Sequence, residues 1–405
     1  MKVLIVSQFY YPEPFRIHDI AKGLVTRGHE VCVLTTNPNY PHGSIYDGYE
    51  NRGTKIELID GVKIVRVVSR PRGKGLLGLM LSYLSFCIKA CLNLHTILKE
   101  EFDVVYSYQL SPITQVIPAI IVSRNKHIPL YLYCLDLWPE SVVEYVNNKS
   151  GLIYKSTKYI SSCIYRSADR IGVTTTFFAD YLCKVCNVDK SKIEYVPQHS
   201  DDVMEGIDLT AIDNGCVDIC FMGNVGISQN IEMVIKAVHR IKDVDGFRVH
   251  IVGSGSKLEN AVELANSLHV EDKIIFHGRK SYSEMGDYYK LADVCLLTLC
   301  GKTLLGLTIP GKMQNYMAAG KPILASMGGD VQGIIRCADC GICVRPDDEE
   351  LLADAIVEIL GKQSEFGRWG KNSRDYYLQY FTLEKYLNKL ESSLEYIVSD
   401  KNEII

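Results

Sequence analysis

Apolar residues along this chain gather in short continuous runs instead of alternating with polar ones. KVLIVS at 2–7, EVCVLTT at 30–36, KIVRVV at 63–68, DVVYSY at 103–108, PLYLYCLD at 129–136 and RIGVTTT at 170–176 are rich in β-branched and aromatic residues. Such runs describe strands buried on both faces. Amphipathic stretches such as RIHDIAKGLVTRG at 16–28 lie between several of them, the pattern of a doubly wound parallel sheet. A second series restarts with VDICFMG at 217–223, then RVHIVGSG, KIIFHG, DVCLLTL and KPILAS. Between the series lies the polar, turn-rich stretch YVPQHSDDVMEGIDLTAIDNG at 195–215. The pattern predicts an α/β chain of two Rossmann-like domains, 1–203 and 204–375, and a helix in 376–405 that packs back across the seam. Ligands of open parallel sheets collect at the carboxyl ends of the strands, so two such domains facing each other would enclose a central cleft.

The length of 405 residues agrees with two domains, since one hydrophobic core stops growing well below that size. With 47% apolar and 23% charged residues the chain is ordinary for a globular protein, and a net charge of −4 argues against general nucleic-acid binding. Fourteen cysteines raise the question of a metal. Cys337, Cys340 and Cys343 in CADCGIC have the spacing of an iron–sulfur run, and Cys183 and Cys186 sit in CKVC, but no fourth ligand follows Cys343. Small apolar residues near a strand are the simpler reading, with no metal site. MKVLIVSQFYYP lacks the long apolar segment and small-residue cleavage site of a secretory signal, so a cytoplasmic protein with free thiols is expected.

GLLGLMLSYLSFCI, between Lys74 and Lys89, is too short to span a bilayer. It predicts a helix from about Gly75 to Leu98, either buried or lying in a membrane interface with Arg66, Arg70, Arg72 and Lys74 toward anionic lipid.

A second short helix is predicted after Pro310 and stopped by Gly320-Lys321-Pro322. Its first turn holds Lys312 and no acidic residue, although free N–H groups and the helix dipole disfavour a cation there by about 0.3–1 kcal/mol. A bound anion would reverse that sign. Asn315 lies three residues on, on the same side of the helix.

SQFYYPEP, RGHEVCVLTT, NPNYPHG, DLWPE, FMGNVGISQN, IVGSGS and PGKMQNYMAAGKPI follow one another from residue 7 to 323. Together they resemble the retaining glycosyltransferases of family 4, which have the GT-B fold, and within them the bacterial branch that adds amino sugars such as N-acetylfucosamine in capsule or O-antigen assembly. The resemblance implies retaining transfer from a nucleotide diphosphosugar without a cofactor or metal; the preferred reading is transfer of a UDP-linked amino sugar to a polyprenyl-diphosphate-linked glycan, with the basic flank at 66–74 and the apolar helix after it placing the chain at the inner face of the cell membrane. It implies donor contacts from Gly223, Asn224, Gln229, Gly253, Ser254, Gly278, Arg279, Lys280, Pro310, Gly311, Lys312 and Asn315. Acceptor contacts are implied for Arg16, His18, Asp136 and Glu140, with Lys312 and Asp136 closest to the chemistry. The chain departs from the family at the usual glutamate pair, which falls on Leu307 and Asn315, and at an Arg/Lys pair replaced by Asn224 and Gln229. Asp136 stands where many members have a histidine. Two alternatives stay open: a catalytically weak nucleotide-sugar binding subunit and a GT-B epimerase.

Overall fold

The computed structural model describes residues 1–73, 75–141, 151–200, 206–212, 214–301 and 308–404. These divide into two compact units, Met1–Pro197 with Tyr386–Ile405, and Gln198–Lys385. The fold is GT-B, with one Rossmann-like sheet in each unit.

The first unit holds eight strands: β1 (Lys2–Val6), β2 (Glu30–Thr36), β3 (Lys55–Ile59), β4 (Val62–Val67), β5 (Val104–Gln109), β6 (Leu130–Cys134), β7 (Arg170–Val173) and β8 (Ile193–Tyr195). Their order is β3-β4-β2-β1-β5-β6-β7-β8, parallel throughout except where β3 runs antiparallel to β4. The continuous apolar runs are explained by burial on both faces: Val3, Leu4, Ile5 and Val6 are all fully buried. β3 was not among the expected strands. Its side chains are largely exposed, and it joins β4 through Asp60 (φ 51°) and Gly61 (φ 77°), a two-residue hairpin turn with both central residues left-handed.

From β1 the chain moves outward to β2 through α1 (Ile17–Thr26), then returns past β1 from β4 to β5 through α2 (Gly75–Leu92). It continues the same way through α3 (Ile117–Lys126) and α4 (Leu152–Arg166). Right-handed crossovers therefore put α1 on one face of the sheet and α2, α3 and α4 on the other. α2 ends at Leu92, short of the expected Leu98, because Asn93 leaves helical geometry (φ −100°, ψ 7°) before a further turn at Leu94–Ile97. One side of α2 is buried through Leu79, Phe86 and Ala90, whereas Leu77, Leu84, Ile88 and Leu92 on the other face water. Arg66 cannot serve in the expected lipid-facing basic flank: it is fully buried and bonded to Glu57. Lys74 of that flank lies outside the described residues.

The second unit contains β9 (Val217–Met222), β10 (Phe247–Val252), β11 (Ile274–Gly278), β12 (Val294–Thr298), β13 (Ile323–Ser326) and β14 (Gly341–Val344), in the order β11-β10-β9-β12-β13-β14. All are parallel. α5 (Gly311–Ala318) buries Met313, Tyr316 and Met317 against the sheet. α6 (Leu383–Ile404) leaves the second unit, and from Tyr386 onward it counts with the first. There Tyr106 and Tyr386 share a hydroxyl hydrogen bond of 2.8 Å, and Glu391 meets Arg27 and His29 on the α1 side. Among the described residues no group of His, Cys, Asp and Glu could hold a metal ion, and no helix is long and apolar enough to cross a membrane. In CADCGIC, Cys340 is buried and Cys337 exposed.

Candidate functional site

Adjacent strands β9 and β10 both end in glycines whose conformations other residues adopt only with strain, Gly223 (φ 143°) and Gly253 (φ 146°). Gly223 N–H donates to the Val252 carbonyl at 2.8 Å, and Gly253 N–H to that of Gly278 at 2.8 Å. A Cβ on Gly253 would overlap the Gly223 carbonyl, and one on Gly223 would overlap the Lys312 side chain. The two turns thus let backbone and amine approach closely around a cavity of about 420 Å³. Gly223, Asn224, Gly253, Ser254, Arg279, Lys280, Lys312 and Asn315 line it, together with Tyr289, Tyr316 and apolar neighbours.

Lys312 is the unusual member. Pro310 caps α5 with extended backbone (ψ 141°), so Lys312 falls in the first turn. Its Nζ is buried, has no hydrogen-bond partner among the described residues, and stands 3.7 Å from the centre of the Phe221 ring. An aromatic face attracts a cation but does not replace its water, and burial lowers the lysine pKa to about 7. No carboxylate appears among the described lining residues. The pocket is therefore a cationic, partly dehydrated space suited to an anion.

Three polar neighbours are held in place by partners. Asn315 Oδ1 accepts a short hydrogen bond from the Ser200 hydroxyl. Gln229 Oε1 accepts from Asn224 Nδ2 and from Gly226 N–H, each at 3.1 Å, so Gln229 braces the turn while Asn224 lines the cavity. The Tyr316 hydroxyl accepts from Met222 N–H at 3.0 Å and fixes the end of β9. Gly278, Pro310 and Gly311 shape the backbone around the site without lining it. Leu307 lies outside the described residues. Phe221 and Ser200 carry no signal in the sequence, because their parts depend on contacts with residues about a hundred positions away.

The residues expected on the acceptor side belong to the first unit, and most are committed to internal bonds. Arg16 occupies the N-cap position of α1, where its side chain makes no capping hydrogen bond. His18 Nδ1 lies 3.2 Å from the Tyr10 hydroxyl, Nε2 lies 3.2 Å from Asp60, and the ring stacks on Tyr11. Burial lowers its pKa, against the opposing pull of Asp19 and Asp60. Asp136 lies beside Ser111, and burial raises its pKa against the hydrogen bonds from Ser111. Glu140 Oε1 accepts from Tyr154 and Tyr181, each at 2.8 Å. Glu13, which the sequence pattern does not single out, joins two loops by accepting from the N–H groups of Tyr10, Asn39 and Tyr40 at 2.7–3.1 Å.

Two family models match the chain: Glycosyltransferase Family 4 over residues 15–201, and Glycosyl transferases group 1 over residues 216–362. An uncharacterized glycosyltransferase of Methanocaldococcus jannaschii is 24% identical over 386 residues, 89% of either chain. The probable glycosyltransferase WbjE of Pseudomonas aeruginosa is 29% identical over 268 residues, 62% of this chain and 65% of its own. Among solved structures, Anabaena HepE in complex with UDP and glucose has a TM-score of 0.67 at 13% identity, covering 98% of this chain and 99% of its own.

Proposed function

The chain is a GT-B glycosyltransferase, and from that premise we propose that it moves an N-acetylated amino sugar from a UDP-sugar to a polyprenyl-diphosphate-linked glycan in capsule or O-antigen assembly. Transfer retains the anomeric configuration and requires no metal. One observation carries the donor assignment: a buried, unpartnered Lys312 amine beside Arg279 and Lys280 at the carboxyl ends of β9 and β11. As the glycosidic bond to the departing nucleotide breaks, charge grows on the diphosphate. A positioned cation and the free N–H groups of α5 stabilise that charge most when it is largest, in the transition state. Lys312 is half-neutral near pH 7 when the site is empty, and the arriving diphosphate favours its protonated form. The nucleotide seen with HepE supports UDP as the diphosphate. The amino sugar rests on Asn224 and Gln229 occupying the positions where the amino-sugar branch tolerates them. The exposed apolar side of α2 supports a peripheral position on the inner face of the membrane.

Thermal shift with UDP, GDP and several UDP-sugars tests the donor assignment. Ligand at a hundred times its Kd adds about 2.7 kcal/mol to the stability of the folded state. UDP should raise the melting temperature of the wild type and have much less effect on Lys312→Ala; an equal rise in both would remove Lys312 from the site.

The absence of a carboxylate from the described cavity lining favours a second reading, a nucleotide-sugar binding subunit with little turnover. Protein that binds UDP yet forms no product with any lipid-linked acceptor would select it.

A further inference from the structure

Helices α2, α3 and α4 share one face of the first sheet, and α2 and α4 both pack on the turn Ile113–Val116. Their outer surfaces are unusually apolar. On α2, Leu77 is 72% exposed, Ile88 54% and Leu92 67%. On α4, Leu152 is 80% exposed, Ile153 58% and Tyr159 70%, with Ile160 completing the stripe two helical turns beyond Ile153. An outward stripe of this kind contributes nothing to the core of its own unit.

Charge distinguishes what could cover it. None of the three helices contains Asp or Glu, while Lys89, Arg124, Lys155 and Arg166 are all exposed. The opposite face of the sheet is of mixed charge: α1 carries Asp19 beside Lys22, and α6 from Tyr386 onward carries Glu391, Glu395, Asp400 and Glu403 against Lys389 and Lys401. Aliphatic side chains flanked by long cationic ones, with an aromatic ring among them, match the interface of an anionic bilayer. There the apolar groups enter the acyl boundary and the lysines and arginines extend to the headgroups. We propose that α4 joins α2 in a single lipid-binding surface, so that the first unit rests on an anionic membrane through two helices. This rests on the membrane position proposed above for α2 and extends it to a segment whose sequence, LIYKSTKYISSCIYR, has no long apolar run.

Co-sedimentation of the full chain with vesicles of phosphatidylcholine, with and without phosphatidylglycerol, provides the test. Two variants are compared with the wild type: Leu77→Glu with Ile88→Glu, and Ile153→Glu with Tyr159→Glu. All four positions are exposed, so melting temperature should be preserved, which confirms folding. Each double variant should reduce binding to the anionic vesicles about tenfold or more, as expected for losing two buried apolar side chains. Ile153→Trp should also become quenchable by brominated lipid. Loss of binding in the α2 variant alone, with Ile153→Trp unquenched, would overturn the role of α4 and leave α2 as the sole contact. Wild-type binding by both variants, or none by the wild type, would overturn the membrane position itself. Unchanged vesicle binding with a dimer that dissociates in the α4 variant would reassign that helix to contact between two copies of this chain.

Discussion

Arg66 in the first unit and Lys312 in the second are both cations withdrawn from water, and their surroundings could hardly differ more. Arg66 Nε donates to Glu57 at 2.7 Å, its two terminal nitrogens donate to the carbonyls of Thr36 and Tyr11 at 3.1 and 2.7 Å, and the guanidinium lies over the Tyr49 ring. Among the described residues, Lys312 has the Phe221 ring and no hydrogen-bond acceptor. A fully bonded buried charge fixes the loops around it. An unbonded one leaves the empty protein under strain that a ligand relieves.

The sharpest way to expose this contrast is to remove each cation. Arg66→Ala should lower stability by about 3–5 kcal/mol, measured by urea unfolding, since it removes a buried ion pair, leaving Glu57 with Lys55 alone and the Thr36 and Tyr11 carbonyls without their guanidinium donor. Lys312→Met should leave the ligand-free protein at least as stable as the wild type but weaken UDP about 10- to 100-fold in calorimetry, the loss of one strong charge-assisted contact. Comparable destabilisation by both substitutions would erase the distinction.

The pH dependence offers a finer comparison. Between pH 7 and the unperturbed lysine value of 10.5, the unfolded chain holds a proton on Lys312 that the folded chain has released. Wild-type stability relative to Lys312→Met should therefore rise with pH across that window, by up to about 1.4 kcal/mol per pH unit, and level off below pH 7. Parallel stability curves for the two proteins would mean that the amine has a counter-ion. The smallest effect belongs to the saturated side: Tyr181→Phe leaves Glu140 with the Tyr154 hydroxyl and should cost about 0.5–1.5 kcal/mol in a thermal melt.

Much of the architecture could be read from the chain because parallel strands buried on both faces leave continuous apolar runs. β3 escaped because KIELI is an exposed edge strand, although the Asp60-Gly61 pair that turns it back is a recognisable hairpin signal. Lys312 could be singled out by its position in a helix start. Its burial could not, since the Phe221 ring and the Gly223 turn that enclose it come from another strand. The polar residues at the start of the first unit looked available in the sequence for the same reason. Their partners, such as Asp60 for His18 and Tyr181 for Glu140, are distant along the chain. Arg66 was misplaced toward lipid because a basic residue in sequence gives no indication of which side of a strand it occupies.

The route of the backbone has a practical outcome. Residues 198–385 form a parenthesis inside the first unit, and both of its brackets are closed. Ser200 N–H donates to the Phe381 carbonyl at 2.9 Å on the inside. Outside, Tyr133 reaches the Val196 carbonyl at 3.1 Å and packs its ring on Tyr386. A gene encoding only the parenthetical segment should therefore yield an autonomously folding module, and a short spacer from 197 to 386 should re-close what remains. A cooperative thermal melt of the excised module would make each half available for study without the other.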